Sequence, residues 1–230
     1  MRLEIWSDIA CPWCYIGKKK LDKALEQFEG KDDVEVVWRS YLLDPEAPAS
    51  YGMTMPQLLA KKYDMTVEEG KAASAKSTAA AKAEGLTYNM DIAQPGNTMD
   101  AHRLVHFAWE QGRGEQMKDR LWEAYFTKGE SVGDRETLVR IGVEMGFEEK
   151  AVRDMLASDK YTAEVKAEDA RAEEVGVDLV PFFLIDGKHS ISGVVSTESL
   201  LEALRNPGKA ARPQPVKPGK PGCDENGCAI

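Results

Sequence analysis

The sequence predicts an α/β fold that is interrupted by an all-helical insertion and followed by an extended C-terminal tail. Three observations predict this arrangement. Strand patterns occur near both ends of the stretch before Asn206, helical periodicity fills the middle, and Pro and Gly alternate with Lys beyond it. We therefore expect residues 1–44 and 159–206 to form one domain, 45–158 a helical insertion, and 207–230 a tail.

Length and composition limit the class of protein. The chain has 230 residues, 43% of them hydrophobic and 30% charged, so a core of ordinary size can form. A formal net charge of −9 argues against nucleic acid or an anionic membrane as a partner. No stretch approaches the roughly 18 apolar residues of a membrane span. Because Met1-Arg2 leads directly into the first predicted strand, without a signal-peptide pattern, we expect a cytoplasmic protein. A mature secreted form with an added Met is the alternative.

The first elements form a β-α-β unit. Residues 3–6 are predicted as a strand, and the β-branched run 34–38 is predicted as a second strand. Between them, four apolar residues at spacing i, i+3, i+4 and i+7 predict a helix: Leu21, Ala24, Leu25 and Phe28.

The middle of the chain is predicted to be helical throughout. Strong helix formers dominate residues 67–84, Asn97 or Thr98 caps one later helix, and Asp134 caps another. The predicted helices lie at 56–63, 67–84, 101–108, 117–125, 138–145, 152–156 and 163–174.

Strand patterns resume after Gly176. Residues 180–185 are predicted as one strand with Pro near its start, and 190–194 as its partner. Asp186-Gly187 indicates a two-residue hairpin turn between them. Ser196 or Thr197 is the predicted cap of a final helix.

The chemistry is predicted to centre on Cys11-Pro12-Trp13-Cys14, which lies between the first strand and the first helix. A C-x-x-C motif at the start of a helix is typical of a thioredoxin-like redox site. The helix N-terminus favours a negative sulfur at Cys11, and Cys14 is one turn further along. We expect Cys11 to be the exposed, attacking thiol and Cys14 the buried, resolving one. A structural disulfide, half of a zinc site and two inert thiols are the alternatives.

The motif resembles the active site of the DsbA-like thioredoxin-fold proteins, in particular of their cytoplasmic FrnE-type branch. The resemblance covers residue 3 to about residue 205. Four segments carry it: Asp8-x-x-Cys11-Pro12-Trp13-Cys14-Tyr15-x-Gly17, Asn97-Thr98-x-x-Ala101-His102, Gly176-Val177-x-x-Val180-Pro181-Phe182-Phe183 and Ser192-Gly193.

This resemblance implies a thioredoxin fold with a helical insertion and a thiol–disulfide oxidoreductase or isomerase activity without a cofactor. It implies that Pro181 is cis and that Val180 and Pro181 present an extended substrate to Cys11. Pro12 and Trp13 would tune the redox poise of the cysteine pair. The implied partners are protein thiols or disulfides, with glutathione as a further candidate.

Two other functions remain open at this point. Kappa-class glutathione transferases and 2-hydroxychromene-2-carboxylate isomerases resemble this branch, but they usually carry Ser at the first active-site position and lack the second Cys. Alternatively, four thiols could bind zinc if the tail folded back, although the spacings C-x2-C and C-x4-C fit a zinc ribbon poorly. We expect disulfide exchange and no metal.

Three further sets of residues are weighed for function. Asp8 either exchanges protons with Cys14 or is a helix cap or solvated carboxylate. His102 is either a ligand or a histidine that is satisfied by the backbone. Cys223 and Cys228 are the only cysteines outside the active motif, and we expect them to form a second redox pair that exchanges with the first.

Overall fold

The computed structural model describes residues 1–209, 222–223 and 228–229. The strands of these residues are β1 (Arg2–Ser7), β2 (Glu35–Ser40), β3 (Leu179–Val180), β4 (Phe182–Ile185), β5 (His189–Ser192), β6 (Gly222–Cys223) and β7 (Cys228–Ala229). Their α-helices are α1 (Pro12–Glu26), α2 (Met55–Tyr63), α3 (Val67–Ala83), α4 (Met99–Trp109), α5 (Gly114–Trp122), α6 (Arg135–Glu144), α7 (Glu149–Ala157), α8 (Thr162–Val175) and α9 (Thr197–Arg205).

The main sheet has four strands in the order β2-β1-β4-β5. Strand β1 is parallel to β2 and antiparallel to β4, and its central residue Ile5 pairs with Trp38 on one side and Phe183 on the other. All residues of β4 are buried, as expected for an inner strand. The predicted α/β fold with a helical insertion is confirmed.

The chain divides into two compact units. One comprises Met1–Leu43 with the described residues from Ala167 onward, and the other comprises Asp44–Lys166. The second boundary lies inside α8, not at the predicted position before residue 159, because α8 is one continuous helix that belongs partly to each unit. No helix within the described ranges is long and apolar enough to cross a membrane.

The sheet differs from the prediction around Pro181. The predicted strand 180–185 is two strands, β3 and β4, because Pro181 lacks the N–H group that a ladder residue needs. The hairpin loop after β4 has three residues, not two, since Ile185 pairs with His189. Asp186 and Gly187 both have a positive φ in this loop, 49° and 67°.

N-cap residues were predicted for three helices, and each of these helices begins at a predicted residue. The Asp134 side chain accepts a hydrogen bond from Thr137 N at 2.8 Å, and Ser196 accepts one from Ser199 N at 3.1 Å. At α4, Thr98 is the N-cap residue, but the Asn97 side chain accepts the bond from Met99 N. The predicted helix at 117–125 is α-helical only to Trp122 and continues as a π-helix over Glu123–Lys128.

The C-terminal tail contains two short strands that the sequence did not predict. Strand β7 is antiparallel to both β6 and β3, so β3, β7 and β6 form a separate three-stranded sheet. Val180 lies opposite Cys228, and Cys223 lies opposite Cys228 on the other side. The side chains of both tail cysteines lie outside the described part of the chain.

Candidate active site

The Cys11–Cys14 turn is built by the junction of β1 and α1. Cys11 is the N-cap residue of α1, with φ −89° and ψ 112°, and Pro12 opens the helix at a position where no backbone N–H is required. The N–H of Cys11 donates to the carbonyl of Asp8 at 3.3 Å, and the N–H of Cys14 donates to the carbonyl of Cys11 at 3.2 Å. Cys11 therefore lies at the N-terminus of α1, the end of a helix that favours a negative sulfur.

Both thiols of the motif are inaccessible to solvent. Cys14 is fully buried, as predicted, but Cys11 is also 0% exposed, so the prediction of an exposed Cys11 is wrong. Burial, followed by the hydrogen bond and charge of Cys11, raises the pKa of the Cys14 thiol well above its usual range. Cys14 is therefore a thiol, not a thiolate, at neutral pH.

The loop at Pro181 lies directly against the cysteine turn. The Val180–Pro181 peptide is cis, as the family resemblance implied. The Cys11 thiol donates to the carbonyl of Val180, with 3.7 Å between sulfur and oxygen. A Cβ atom on Gly17 of α1 would lie 2.7 Å from Pro181 Cγ, so the absence of a side chain at Gly17 allows this close approach. The structure thus brings together Cys11, Cys14, Val180 and Pro181.

Asp8 is part of the same site, in a role that the sequence did not predict. It is 1% exposed, so it is not a solvated carboxylate, and it does not cap α1. One carboxylate oxygen accepts from Ala10 N at 3.2 Å and the other from Leu43 N at 2.8 Å. Asp8 therefore joins the cysteine turn to the segment that follows β2. Proton exchange between Asp8 and Cys14 stays a hypothesis.

The segment that follows β2 supplies residues that sequence reasoning missed. Tyr41 is buried there, and burial, followed by the charges of Asp169 and Asp8, raises the pKa of its hydroxyl group. Asp169 accepts a hydrogen bond from Leu42 N at 2.8 Å. One signal for this placement exists in the sequence, because parallel strands β1 and β2 must end at the same edge of the sheet.

A network of ion pairs underlies this end of the sheet. Glu4 on β1 is nearly buried and accepts hydrogen bonds from Arg39 at 2.7 Å and Arg171 at 2.9 Å. Burial alone would raise the pKa of Glu4, but these two guanidinium groups outweigh it and lower the pKa. Arg39 also pairs with Glu168 of α8 at 2.9 Å. The network fixes α8 to the strands that carry the site.

Trp13 is buried and Pro12 half-buried in the first turn of α1, and their effect on redox poise stays a prediction. His102 is buried in α4. Within the described residues, no group of three or more His, Cys, Asp or Glu side chains could hold a metal ion.

Comparison with known proteins gives consistent matches. A family model described as DSBA-like thioredoxin domain matches residues 2–205. The crystal structure of a probable DsbA oxidoreductase, SCO1869 from Streptomyces coelicolor, is 39% identical with a TM-score of 0.86, covering 100% of this chain and 99% of that one. YwbO, an uncharacterised protein of Bacillus subtilis (strain 168), is 27% identical over 213 residues, which are 91% of this chain and 98% of YwbO.

A more distant match shows likeness of fold alone. The cytosolic disulfide reductase DsbM from Pseudomonas aeruginosa, solved with GSH, has a TM-score of 0.58 at 16% identity. The alignment covers 91% of this chain and 100% of DsbM.

Proposed function

Because the chain belongs to the DSBA-like thioredoxin domain family, we propose that it is an enzyme that exchanges disulfides with protein substrates through Cys11 and Cys14. The membership also confirms the thioredoxin fold that the sequence predicted. One observation carries the proposal: the Cys11 thiol begins α1 and lies 3.7 Å from the carbonyl of Val180, the residue before the cis-proline.

The reaction begins at Cys11. Its thiolate attacks one sulfur of a substrate disulfide, which forms a mixed disulfide and releases the other substrate sulfur as a thiolate. Cys14 then attacks the Cys11 sulfur, which forms the Cys11–Cys14 disulfide and releases the second substrate thiol. The substrate gains two electrons and the enzyme loses two. The reverse sequence oxidises a substrate dithiol.

The environment of Cys14 is suited to a resolving thiol that reacts second. Its pKa is raised first by burial and then by the hydrogen bond and charge of Cys11. When the Cys11 sulfur is held in a mixed disulfide it carries no charge, so that part of the shift disappears. Cys14 then loses its proton more easily, and the proton is taken up by the departing substrate thiolate. The raised pKa of Cys14 thus supports its role as the second thiol to attack.

The substrate would bind as an extended segment beside Val180 and Pro181. Backbone pairing with the edge of β3 supplies affinity without demanding a particular side-chain sequence. Protein thiols and disulfides are therefore the proposed partners. Glutathione is a further proposed partner, supported by the structural likeness to DsbM, which was solved with GSH. The cytoplasmic location and the FrnE-type branch stay predictions.

The tail cysteines are proposed as a second redox pair that relays electrons to the first. In this step a Cys223/Cys228 dithiol reduces the Cys11–Cys14 disulfide and becomes a disulfide itself, so two electrons move between the pairs. The backbone register supports the proposal, because Cys228 lies opposite Val180, whose carbonyl accepts from the Cys11 thiol. Tethering makes the exchange intramolecular.

Reduction of insulin by dithiothreitol tests the main proposal. Cys11→Ser should abolish the acceleration, whereas Cys14→Ser should accumulate a mixed disulfide with the substrate. Full activity of the Cys11→Ser variant would overturn the proposal. Conjugation of glutathione to an electrophile by Cys14→Ser would instead favour the transferase hypothesis.

The relay needs a separate experiment. The variant with Cys223→Ser and Cys228→Ser should lose multiple turnover with glutathione as reductant but keep a single round of exchange at Cys11. A mixed disulfide between Cys11 and a tail cysteine, trapped in Cys14→Ser, is the expected intermediate. Equal turnover with and without the tail cysteines would rule out the relay.

A further inference from the structure

An edge of β3, the strand that contains Val180, is occupied by the chain's own C-terminal strand. Leu179 pairs with Ala229 and Val180 pairs with Cys228, in antiparallel register. On the same residue, the Val180 carbonyl accepts from the Cys11 thiol. Neighbouring strands are about 4.8 Å apart, so the backbone of β7 runs directly beside the residue that contacts the attacking sulfur.

This edge is the one that the proposed function assigns to a substrate, and the inference rests on that assignment. A strand edge offers one row of N–H and C=O groups, which can pair with only one other backbone at a time. A bound polypeptide and β7 therefore cannot occupy the edge of β3 together. Cys11 is fully buried in this arrangement, although exchange with a protein requires contact with its sulfur. Displacement of β7 would free the edge of β3 for the substrate and would allow the substrate to reach the Cys11 sulfur.

The geometry of the tail favours this occupancy over a chance contact. Strand β7 also pairs with β6, and Cys223 lies opposite Cys228, so β7 belongs to a hairpin and not to a single extended end. Hairpin formation restricts the backbone before it meets β3, which lowers the entropic cost of docking. The tether keeps the local concentration of the strand high, in the millimolar range for short flexible linkers.

We propose that the C-terminal strand Cys228–Ala229 is an intramolecular substrate mimic, which competes with extended polypeptide substrates for the edge of β3. The partner that fits this surface is an extended segment with a cysteine in the position opposite Val180, where the mimic has Cys228. Detachment of β7 from β3 raises the affinity of the protein for extended polypeptides and exposes Cys11 to them. The effect depends on backbone pairing and does not require thiols in the tail.

Ala229→Pro is the variant that tests this. Proline has no N–H and is excluded from the interior of a ladder, so the substitution should detach β7 from β3 while leaving the main sheet untouched. Ala211→Pro, a substitution of the same kind elsewhere in the tail sequence, is the matched control. Both substitutions are made in a Cys223→Ser/Cys228→Ser background, so that no protein in the comparison can transfer electrons through the tail cysteines.

Kinetics with insulin give the first measurement. Ala229→Pro should lower the KM about 2- to 10-fold, the change expected for one net backbone hydrogen bond. Ala211→Pro should leave the KM unchanged. An acetylated peptide of residues 219–230 with both cysteines replaced by Ser should compete with insulin in the Ala229→Pro protein. Equal KM values for Ala229→Pro and Ala211→Pro would overturn the mimic.

Two measurements without turnover separate this inference from the proposed function. Alkylation of Cys11 by iodoacetamide, located by mass spectrometry, should be faster in Ala229→Pro than in Ala211→Pro. Hydrogen exchange of the peptide that contains Leu179 and Val180 should also be faster. If no arm reduces insulin, the proposed function fails, and these two measurements still decide whether β7 covers the edge. Unchanged alkylation and exchange would refute the occupancy itself.

Discussion

In the unit that contains the main sheet, carboxylates bind backbone N–H groups beside the site, whereas in the helical unit a guanidinium group binds backbone carbonyls. Leu43 N donates to Asp8 at 2.8 Å, and Ser40 N donates to Glu168 at 2.7 Å. In the helical unit, Arg103 of α4 donates to the carbonyls of Lys160 and Met155, each at 2.8 Å. Both arrangements bind backbone at or just beyond the end of a strand or helix with a charged side chain.

The sign of the charge follows from the kind of backbone group that needs a partner. After β2 ends at Ser40, the chain leaves the sheet and its N–H groups have no strand to pair with. Near the end of α7 at Ala157, the carbonyl of Met155 accepts from Ser158 and also has room for the Arg103 guanidinium. An acid satisfies the first kind and an arginine the second. Strand ends and helix ends therefore call for opposite charges in these two units.

Removal of Arg103 should give the largest effect on stability. The side chain is 3% exposed and also pairs with Asp100 at 2.5 Å, so Arg103→Met removes a buried charged donor from the carbonyls of Lys160 and Met155 and from this carboxylate. We expect the free energy of unfolding to fall by about 3–5 kcal/mol. Chemical denaturation measures this change.

Arg135→Met is the matched control for Arg103→Met. Arg135 binds the same Asp100 at 2.8 Å, but its side chain is 59% exposed. Its loss should change the free energy of unfolding by less than about 1 kcal/mol. If the two variants lost equal free energy of unfolding, the contacts of Arg103 with the backbone would contribute nothing measurable to stability.

Glu4→Gln should have a smaller effect that depends on pH. The folded protein lowers the pKa of Glu4, because Arg39 and Arg171 outweigh burial. Glu4 therefore adds stability above its unfolded pKa of about 4.3, and that contribution is lost as the pH falls through the lower folded value. At pH 7 the variant should lose about 1.5–3 kcal/mol of unfolding free energy. Arg39 keeps its pair with Glu168, which limits the loss.

The pH series decides how the Glu4 result is interpreted. The difference between Glu4→Gln and the unaltered protein should narrow below about pH 4, as Glu4 becomes protonated in both states. Glu35→Gln is the control, since Glu35 is 62% exposed and pairs with Arg2 at 3.2 Å. If the loss of unfolding free energy in Glu4→Gln stayed constant from pH 7 to pH 3, the ion pairs of Glu4 could not be its cause.

These contrasts also show what a single sequence can and cannot predict. The order of strands and helices, the cysteine turn and the caps at Asp134 and Ser196 depend on residues that are near one another in the chain, so periodicity and capping rules found them. The bond from Leu43 to Asp8 spans 35 residues, and the bond from Ser40 to Glu168 spans 128. No local pattern reports such a pairing.

The tail shows the same limitation in a different form. Its Pro- and Gly-rich composition predicts a segment without a core of its own, and most of that segment lies outside the described residues. Strand β7 is two residues long and pairs with β3 as well as with β6, so part of its pairing depends on a partner that is about 50 residues earlier in the chain. The burial of Cys11 was missed for a related reason, since exposure is a property of the whole fold.

One glycine in each unit can be replaced by alanine with a small expected loss of stability. In Gly17→Ala, the new Cβ would lie 2.7 Å from Pro181 Cγ, and in Gly142→Ala it would lie 2.9 Å from Val152 Cγ2. Overpacking costs about 1–3 kcal/mol, but replacing a helical Gly by Ala returns about 1 kcal/mol. We expect both variants to lose about 1 kcal/mol of unfolding free energy, measured by chemical denaturation.

The two glycine variants should have similar stability but different rates of disulfide exchange. Gly17 faces the proline that follows Val180, so a displaced Pro181 alters the position of the Val180 carbonyl, which lies 3.7 Å from the Cys11 sulfur. Reaction rates depend steeply on such positions, and kcat/KM for insulin should fall about 3- to 10-fold in Gly17→Ala. The three atoms nearest to the added Cβ of Gly142→Ala all belong to Val152 of α7. Gly142→Ala should therefore keep its kcat/KM. Parallel losses of exchange in the two variants would mean that the contact between Gly17 and Pro181 does not position the substrate edge, and that stability alone governs the rate.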